Sequence, residues 1–369
     1  MSYITTIKTA IFIFPLVAFI FTAPFILHQY HKYGSINKLR TLIIYSFILY
    51  MLTIYFLVIL PLPSKGEVVY QENMIHLIPF NFISDFYQET SLVITDPSTY
   101  LKALKEPCFY TVVFNIIMFI PFGIYLRYYF KCGLFKTIVF SFLLSLFFEI
   151  TQLTGLYFIY EYPYRVFDVD DLIINTFGGI LGYLIIGLFK KFLPSREEID
   201  EASFKAGSEV SGLRRITLFF LDTFNCLFLY LFLAIFFANT NLRYLTFPIY
   251  YVIIPYLLDS KTLGSKFLNI RFTYLNHEVL RNIFRVLFLY LYYFFLPFGL
   301  LFISTFLVNY LNLGSLETIW FYIMIFILIS GFYLGNILTL LKKKKIYYDN
   351  FFKVEYESTI HEKDNLNIQ

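Results

Sequence analysis

An all-α polytopic membrane protein with about nine transmembrane helices is the fold class this sequence predicts, and three observations predict it. Only 15% of the 369 residues are charged and 59% are hydrophobic, with a mean hydropathy of +0.68; soluble domains carry charge on about a quarter of their residues. Apolar runs of about 20 residues, the length that crosses a hydrocarbon core roughly 30 Å thick, recur along the whole chain. Every second loop between those runs is rich in Lys and Arg, the alternation that one consistent topology requires.

The runs fall at residues 9–27, 42–60, 109–129, 134–153, 172–189, 216–238, 244–258, 283–308 and 319–341. The seventh is short and holds Pro248 and Pro255, which marks it as kinked or re-entrant. Basic residues gather after the first run (Lys32, Lys38, Arg40), the third (Lys131, Lys136), the fifth (Lys190, Lys191, Arg196), the seventh (Lys261, Lys266, Arg271, Arg281) and the ninth (342–345). The positive-inside rule then puts the amino terminus outside and the carboxyl terminus in the cytoplasm. The remaining loops face outward, among them an acidic one at 61–108 and a short one at 155–171.

A polar stretch divides the chain into a first membrane domain (1–193), a cytoplasmic linker (194–212), a second membrane domain (213–341) and a tail (342–369) that is basic and then expected to be disordered. The first run lacks a small-residue cleavage site and reads as a retained helix. The net charge of +4 sits in loops, which points to membrane orientation and gives no reason to expect nucleic acid. The 48 Phe and 33 Tyr accompany abundant Ile, Asn and Lys, the composition of an AT-rich genome, and carry no recognition argument. Cys108, Cys132 and Cys226 have no CxxC or metal-ligand spacing, so no disulfide, metal or cofactor is expected.

Polar residues inside the apolar runs mark the candidate site. Ser141, Ser145, Glu149 and Gln152 share one face of the fourth run, and Asp171, Asn175, Gly178, Gly179 and Gly182 share one face of the fifth. A short outward loop would make these helices antiparallel neighbours, pairing Gln152 with Asp171, Glu149 with Asn175, Ser145 with Gly179 and Ser141 with Gly182. Asn115 lies at a similar depth on the third run, and Pro121 and Gly123 below it free backbone carbonyls. Small residues let membrane helices approach and polar ones hydrogen-bond across the gap, so Gln152, Asn175 and the glycines read equally well as packing devices. Glu149 is different, because a carboxylate in lipid is costly unless protonated, paired or wet. Arg165 is its expected partner, with a water-filled outward funnel as the alternative.

Above these helices stand Arg165, Asp168, Asp170 and Asp171, in a spacing that matches no defined calcium loop, so no metal is assigned. Buried Glu149 and an ionised Asp168 or Asp171 could instead act as acid and base on a lipid-linked substrate at the outer leaflet. No Ser, His or Cys nucleophile accompanies them, His76 reads as a solvated loop residue, and no catalytic residue is assigned.

The segments "LIPFNFISDF" at 77–86, "FNIIMFIPFGIYL" at 114–126, Glu149 with Gln152, and "YRVFDVDDLIINTFGGILGY" at 164–183 resemble, in order and spacing, the VanZ-like family of bacterial membrane proteins. The family pattern falls on Asn115, Pro121, Gly123, Glu149, Gln152, Arg165, Asp168, Asp170, Asp171, Asn175, Gly179 and Gly182. The resemblance implies a multi-pass protein of the bacterial plasma membrane whose archetype lowers susceptibility to glycopeptides, teicoplanin in particular. The second half, from about 212 to 310, looks like the RDD family, a helical membrane domain linked to transport and sometimes cation exchange. That resemblance rests on "LRRITLFFLDTF", which supplies Arg215 and Asp222, on "TLGSKFLNIRF" at 262–272, and on Asp259 as the nearest second Asp. Ser265 stands where that family has Lys, and Asn269 where it has Gly.

The expected function is therefore an envelope protein that binds a cell-wall precursor, a lipid-linked polymer or a glycopeptide at its outward polar cluster. Arg165 would hold an anionic group while Asn115, Gln152 and Asn175 hydrogen-bond the remainder. The competing expectations are transport through the second half, with Asp222 as carrier, and an enzyme acting on a lipid-linked substrate; the second half reads alternatively as an accessory helical bundle with Arg215 snorkelling to the inner surface. The lipid bilayer is the expected partner, and the sequence does not specify an oligomeric state.

Overall fold

In hydrocarbon every backbone N–H and C=O must find its partner within the segment, so apolar runs fold as helices. The computed structural model describes residues 3–64, 66–237, 241–274, 278–311, 314–342 and 347–360. Among the described residues, eight helices are long and apolar enough to cross a membrane. The chain is an all-α polytopic membrane protein, and the two short sheets among the described residues are two-stranded. It divides into two units, Met1–Thr22 with Lys38–Ile199, and Ala23–Asn37 with Asp200–Gln369.

The first unit takes the start of α1 (Tyr3–Tyr33), then α2 (Lys38–Ile59), β1 (Ile75–His76), α3 (Asn81–Glu89), α4 (Tyr100–Ala103), α5 (Pro107–Tyr128), α6 (Leu134–Leu153), α7 (Gly155–Phe158), β2 (Phe167–Asp168) and α8 (Val169–Phe189). A buried cluster of Ile54, Met118, Phe119, Phe122, Leu126 and Phe148 ties α2, α5 and α6 together. Glycines bring α8 almost onto α5: a Cβ at Gly123 would strike the Gly179 carbonyl, one at Gly178 the Ile116 carbonyl, and one at Gly182 the Ile120 carbonyl. With so little side chain between them, the two backbones touch and dispersion contacts replace the absent hydrophobic drive.

The expected pairing of α6 with α8 is displaced by about one helical turn. Asn175 donates to Ser145 Oγ at 2.9 Å, Glu149 accepts from the Asp168 backbone at 3.1 Å, and Ser141 lies against Gly179. Gly182, expected to face Ser141, faces α5 instead. The connection between α6 and α8 is the cause. After α6 the chain makes a left-handed turn through Gly155, Leu156, Tyr157 and Phe158 (φ 58°, 57°, 56° and 71°). It then returns as β2, parallel to β1, with Ile75 opposite Phe167 and His76 opposite Asp168. That detour starts α8 level with Glu149 rather than Gln152. Each left-handed L-residue costs about 1–2 kcal/mol, offset by burial of Leu156 and Tyr160 against Ile59.

α9 (Arg196–Gly207) occupies the expected linker. The second unit contains the end of α1, then α10 (Gly212–Phe236), α11 (Thr246–Pro248), α12 (Ile254–Leu257), α13 (Leu263–Phe267), β3 (Ile270–Tyr274), α14 (Glu278–Tyr290), α15 (Leu296–Tyr310), α16 (Ser315–Leu341), α17 (Tyr347–Phe352) and β4 (Val354–Ser358). π-helical turns at Ile249–Ile253 and Leu291–Phe295 join α11 to α12 and α14 to α15. The seventh apolar run, counted as a helix among the expected nine, is these 3-, 5- and 4-residue pieces. At 1.5 Å per residue they reach roughly 18 Å, too short to span the bilayer.

The tail also departs from expectation, since residues 347–360 are ordered. β4 pairs antiparallel with β3, Ile270 opposite Ser358 and Tyr274 opposite Val354. Glu355 and Glu357 lie on its exposed face while Val354 joins a core of Tyr30, Leu218, Leu268, Ile270 and Phe272, so the strand keeps its charges on one side. The rest of the expected disorder, at 361–369, and Lys343, Lys344 and Lys345 of the basic run lie outside the described residues.

Candidate functional site

Polar side chains of α5, α6 and α8 meet near the start of α8. Asn115 of α5 donates to Asp171 Oδ1 at 2.7 Å, and Ser145 of α6 donates to the Asp171 carbonyl at 3.3 Å. Glu149 is buried, 3% exposed, and its Oε2 accepts from the Asp168 backbone. Asn115, Ser145, Asp171 and Asn175 thus form one hydrogen-bonded group, and Glu149 with Asp168 forms a second pair beside it. Among the described residues neither Glu149 nor Asp171 has an ion-pair partner.

Arg165, the expected partner of Glu149, is placed differently. Its guanidinium donates to the carbonyls of Val58 at 2.8 Å and Leu60 at 3.3 Å, and Gln152 donates to the same Val58 carbonyl at 2.9 Å. These carbonyls at and just past the end of α2 have no helical N–H to accept from, and a charged donor near a helix C-terminus also suits the macrodipole. Arg165 and Gln152 therefore fasten α2 beside the cluster. The three loop aspartates likewise divide their work. Asp168 caps α8, accepting from the Asp170 backbone at 2.8 Å, and faces His76 Nδ1 at 3.8 Å. Asp170 is buried and turns away from the cluster to accept from the backbones of Phe80 and Phe82 at 2.5 and 2.9 Å, which anchors the start of α3. Only Asp171 reaches into the helix seam.

Several buried polar atoms at this place have no protein partner: Asn175 Oδ1, Ser141 Oγ, Thr176 Oγ1 and the hydroxyl of Tyr164. Burial pushes the Tyr164 phenol up to about 12, so it stands there as a neutral O–H. Acceptors predominate, with carboxylates at Glu149, Asp168 and Asp171, and the arrangement suits a ligand that presents N–H or O–H groups. Among the described residues no group of three His, Cys, Asp or Glu is placed to hold a metal ion.

Sequence reasoning missed the part played by His76 because the β1–β2 pairing that brings it to Asp168 joins residues far apart in the chain. It also missed Arg127, which donates to the Tyr183 carbonyl at 2.7 Å and lies over the Tyr183 ring at 4.1 Å; a lone Arg near a helix end was the available signal.

The residues singled out in the second unit are dispersed. Asp222 accepts from the Tyr250 hydroxyl at 2.7 Å, the Thr262 hydroxyl at 2.9 Å and the Gly264 backbone at 3.1 Å. Arg215 does not snorkel. It forms an ion pair with fully buried Asp349 and lies 4.1 Å over the Tyr356 ring. Asp259 is exposed and belongs to neither group. Arg214, which the sequence did not distinguish from its neighbour, is the fully buried one, and donates to the carbonyls of Leu268, Asn269 and Gly207. Asn269 stands at φ 54°, a left-handed conformation that Asn tolerates and Gly favours.

Residues 47–190 match the VanZ/LLP1 family, a stretch that includes α5, α6, α8 and the whole polar cluster and ends before the second unit. Protein VanZ of Enterococcus faecium is 34% identical over 122 residues, which cover 32% of this chain and 68% of that protein. No solved structure matches the chain. With the cluster, the spans around it and a relative matched over two thirds of its length in agreement, this multi-pass membrane protein belongs to the VanZ/LLP1 family.

Proposed function

We propose that the Glu149–Asp171 cluster is an outward-facing binding site at the bacterial cell envelope. It takes a cell-wall precursor, a lipid-linked polymer or a glycopeptide, and so lowers susceptibility to teicoplanin-type glycopeptides. The observation that carries this reading is a pair of carboxylates within the membrane-spanning helices, Glu149 and Asp171, met by amide and backbone donors and by no cation among the described residues. Acids placed so are costly for folding and are kept where they act on something. Sugars, peptides and amines bring the N–H and O–H donors that these carboxylates and Asn175 Oδ1 lack. The sequence expectation that Arg165 grips an anion weakens, because its guanidinium is engaged by α2.

The orientation required, with the amino terminus outside and the start of α8 outward, rests on the alternation of basic loops. The RDD likeness of the second half is kept as a proposal: Arg215 and Asp222 line one cavity there, and Asp349, rather than Asp259, is the acid that Arg215 meets. Asp222, with three donors around it, reads as a latch that holds the 262–264 loop.

Expression in a teicoplanin-sensitive host tests the proposal. The wild-type chain should raise the inhibitory concentration, and Glu149→Gln and Asp171→Asn should each abolish the rise at unchanged membrane abundance. Full protection by the Glu149→Gln, Asp171→Asn double variant would refute it.

A further inference from the structure

The second unit encloses a cavity of about 350 Å³ between α10, α14 and α16, a volume within the range of small-ligand sites. On each helix the lining residues extend over two turns, from Arg215 to Asp222, from Arg285 to Tyr293 and from Leu340 to Tyr333, which gives a depth of roughly 11 Å. The two ends differ in chemistry. At one, where α10 begins and α16 finishes, the wall carries two guanidiniums, Arg215 and Arg285, which meet Asp349 and stack on the Tyr356 and Phe272 rings of the same wall. Asp349 is not part of the wall, and the one carboxylate that is, Asp222, lies at the other end with three donors around it. Between the ends the surface is aliphatic and aromatic.

A cationic end at the level of the helix termini that leads into an apolar shaft suits an amphiphile. Fixed guanidiniums bind carboxylate or phosphate through paired N–H donors, and basic pockets between membrane helices take anionic headgroups. We propose that this cavity binds a single-chain anionic amphiphile, with its carboxylate or phosphate against Arg215 and Arg285 and its acyl chain along Leu289 toward Tyr333. The site lies beyond the family match and does not depend on the envelope reading of the first unit.

The full-length chain, purified in a neutral maltoside, is examined by native mass spectrometry and thermal unfolding with oleate, oleoyl-lysophosphatidate and oleoyl-lysophosphatidylcholine. One equivalent of an anionic probe should bind and raise Tm by several degrees, and whichever of oleate and lysophosphatidate does so identifies the head. The zwitterionic probe should do neither. Arg285→Gln should weaken anionic binding about tenfold, the loss of a charged hydrogen bond. Leu289→Trp, which fills the shaft, should abolish it, with Ile337→Phe as a second blocking variant should the first fail to fold. No binding of either anionic probe to the wild type, equal binding of all three, or binding undiminished in a folded blocking variant overturns the proposal.

Discussion

Both units bury acids among membrane helices, and they satisfy them in opposite ways. In the first, Glu149 and Asp171 are met by a backbone N–H and an Asn amide, and neither forms an ion pair among the described residues. In the second, Asp349 is met by Arg215, with Arg285 at 4.0 Å and the Tyr356 hydroxyl at 2.8 Å. Amide and backbone donors offset part of the desolvation cost and leave acceptor capacity unused, whereas a guanidinium largely consumes it. The first arrangement is open to a ligand that donates. The second is a brace.

The largest test of this contrast removes one partner from the brace. Arg215→Ala leaves Asp349 buried and should cost about 3–5 kcal/mol, read as a fall in Tm and in folded yield. Adding Asp349→Ala should recover much of that loss. If the double variant is no better than the single, the pair is not the brace described here.

Packing gives the next effect. Gly123→Val in α5 sets a side chain against the α8 backbone, which cannot yield as a flexible side chain would. Overpacking of this kind costs about 1–3 kcal/mol or more. Gly331→Val in α16, where nothing lies within 4 Å, should leave Tm unchanged. Equal behaviour of the two variants would mean that α5 and α8 do not touch as described.

The smallest effect is expected at an exposed acid. Glu106, just ahead of α5, accepts from the backbone and hydroxyl of Ser91 and from the Thr90 hydroxyl, and these bonds hold its carboxyl below the usual range. Because the folded value is depressed, the tie is present above the ordinary carboxylate pKa and is lost as pH falls through the lowered one. Amide exchange at Ser91, corrected for its intrinsic pH dependence, should quicken at that step, and Glu106→Gln should flatten the profile.

Much of the fold and of the first site could be read in the chain because lipid leaves few choices. Apolar run length located the membrane-crossing helices, and the same costs that exclude polar groups from hydrocarbon made Asn115, Glu149, Asp171 and Asn175 conspicuous. The runs at 244–258 and 347–360 misled for definite reasons. Pro248 and Pro255 sit in a segment too short to cross, and in the tail β4 keeps its two acids on one face while Asp349 is buried against Arg215.

The sequence by itself determined which residues are in the membrane and which of them are too polar to be there without cause. Partnership was decided only by the tertiary structure. Arg165 turned to the end of α2, Asp170 to the start of α3, and Asp349 came 134 residues along the chain to Arg215. The physical reason is that burial cost belongs to a residue and its depth, and so is written in composition and spacing. A hydrogen bond or ion pair belongs to two groups whose approach is set by the path of every loop between them, and a detour such as the left-handed turn at Gly155 is enough to move a seam by a full turn.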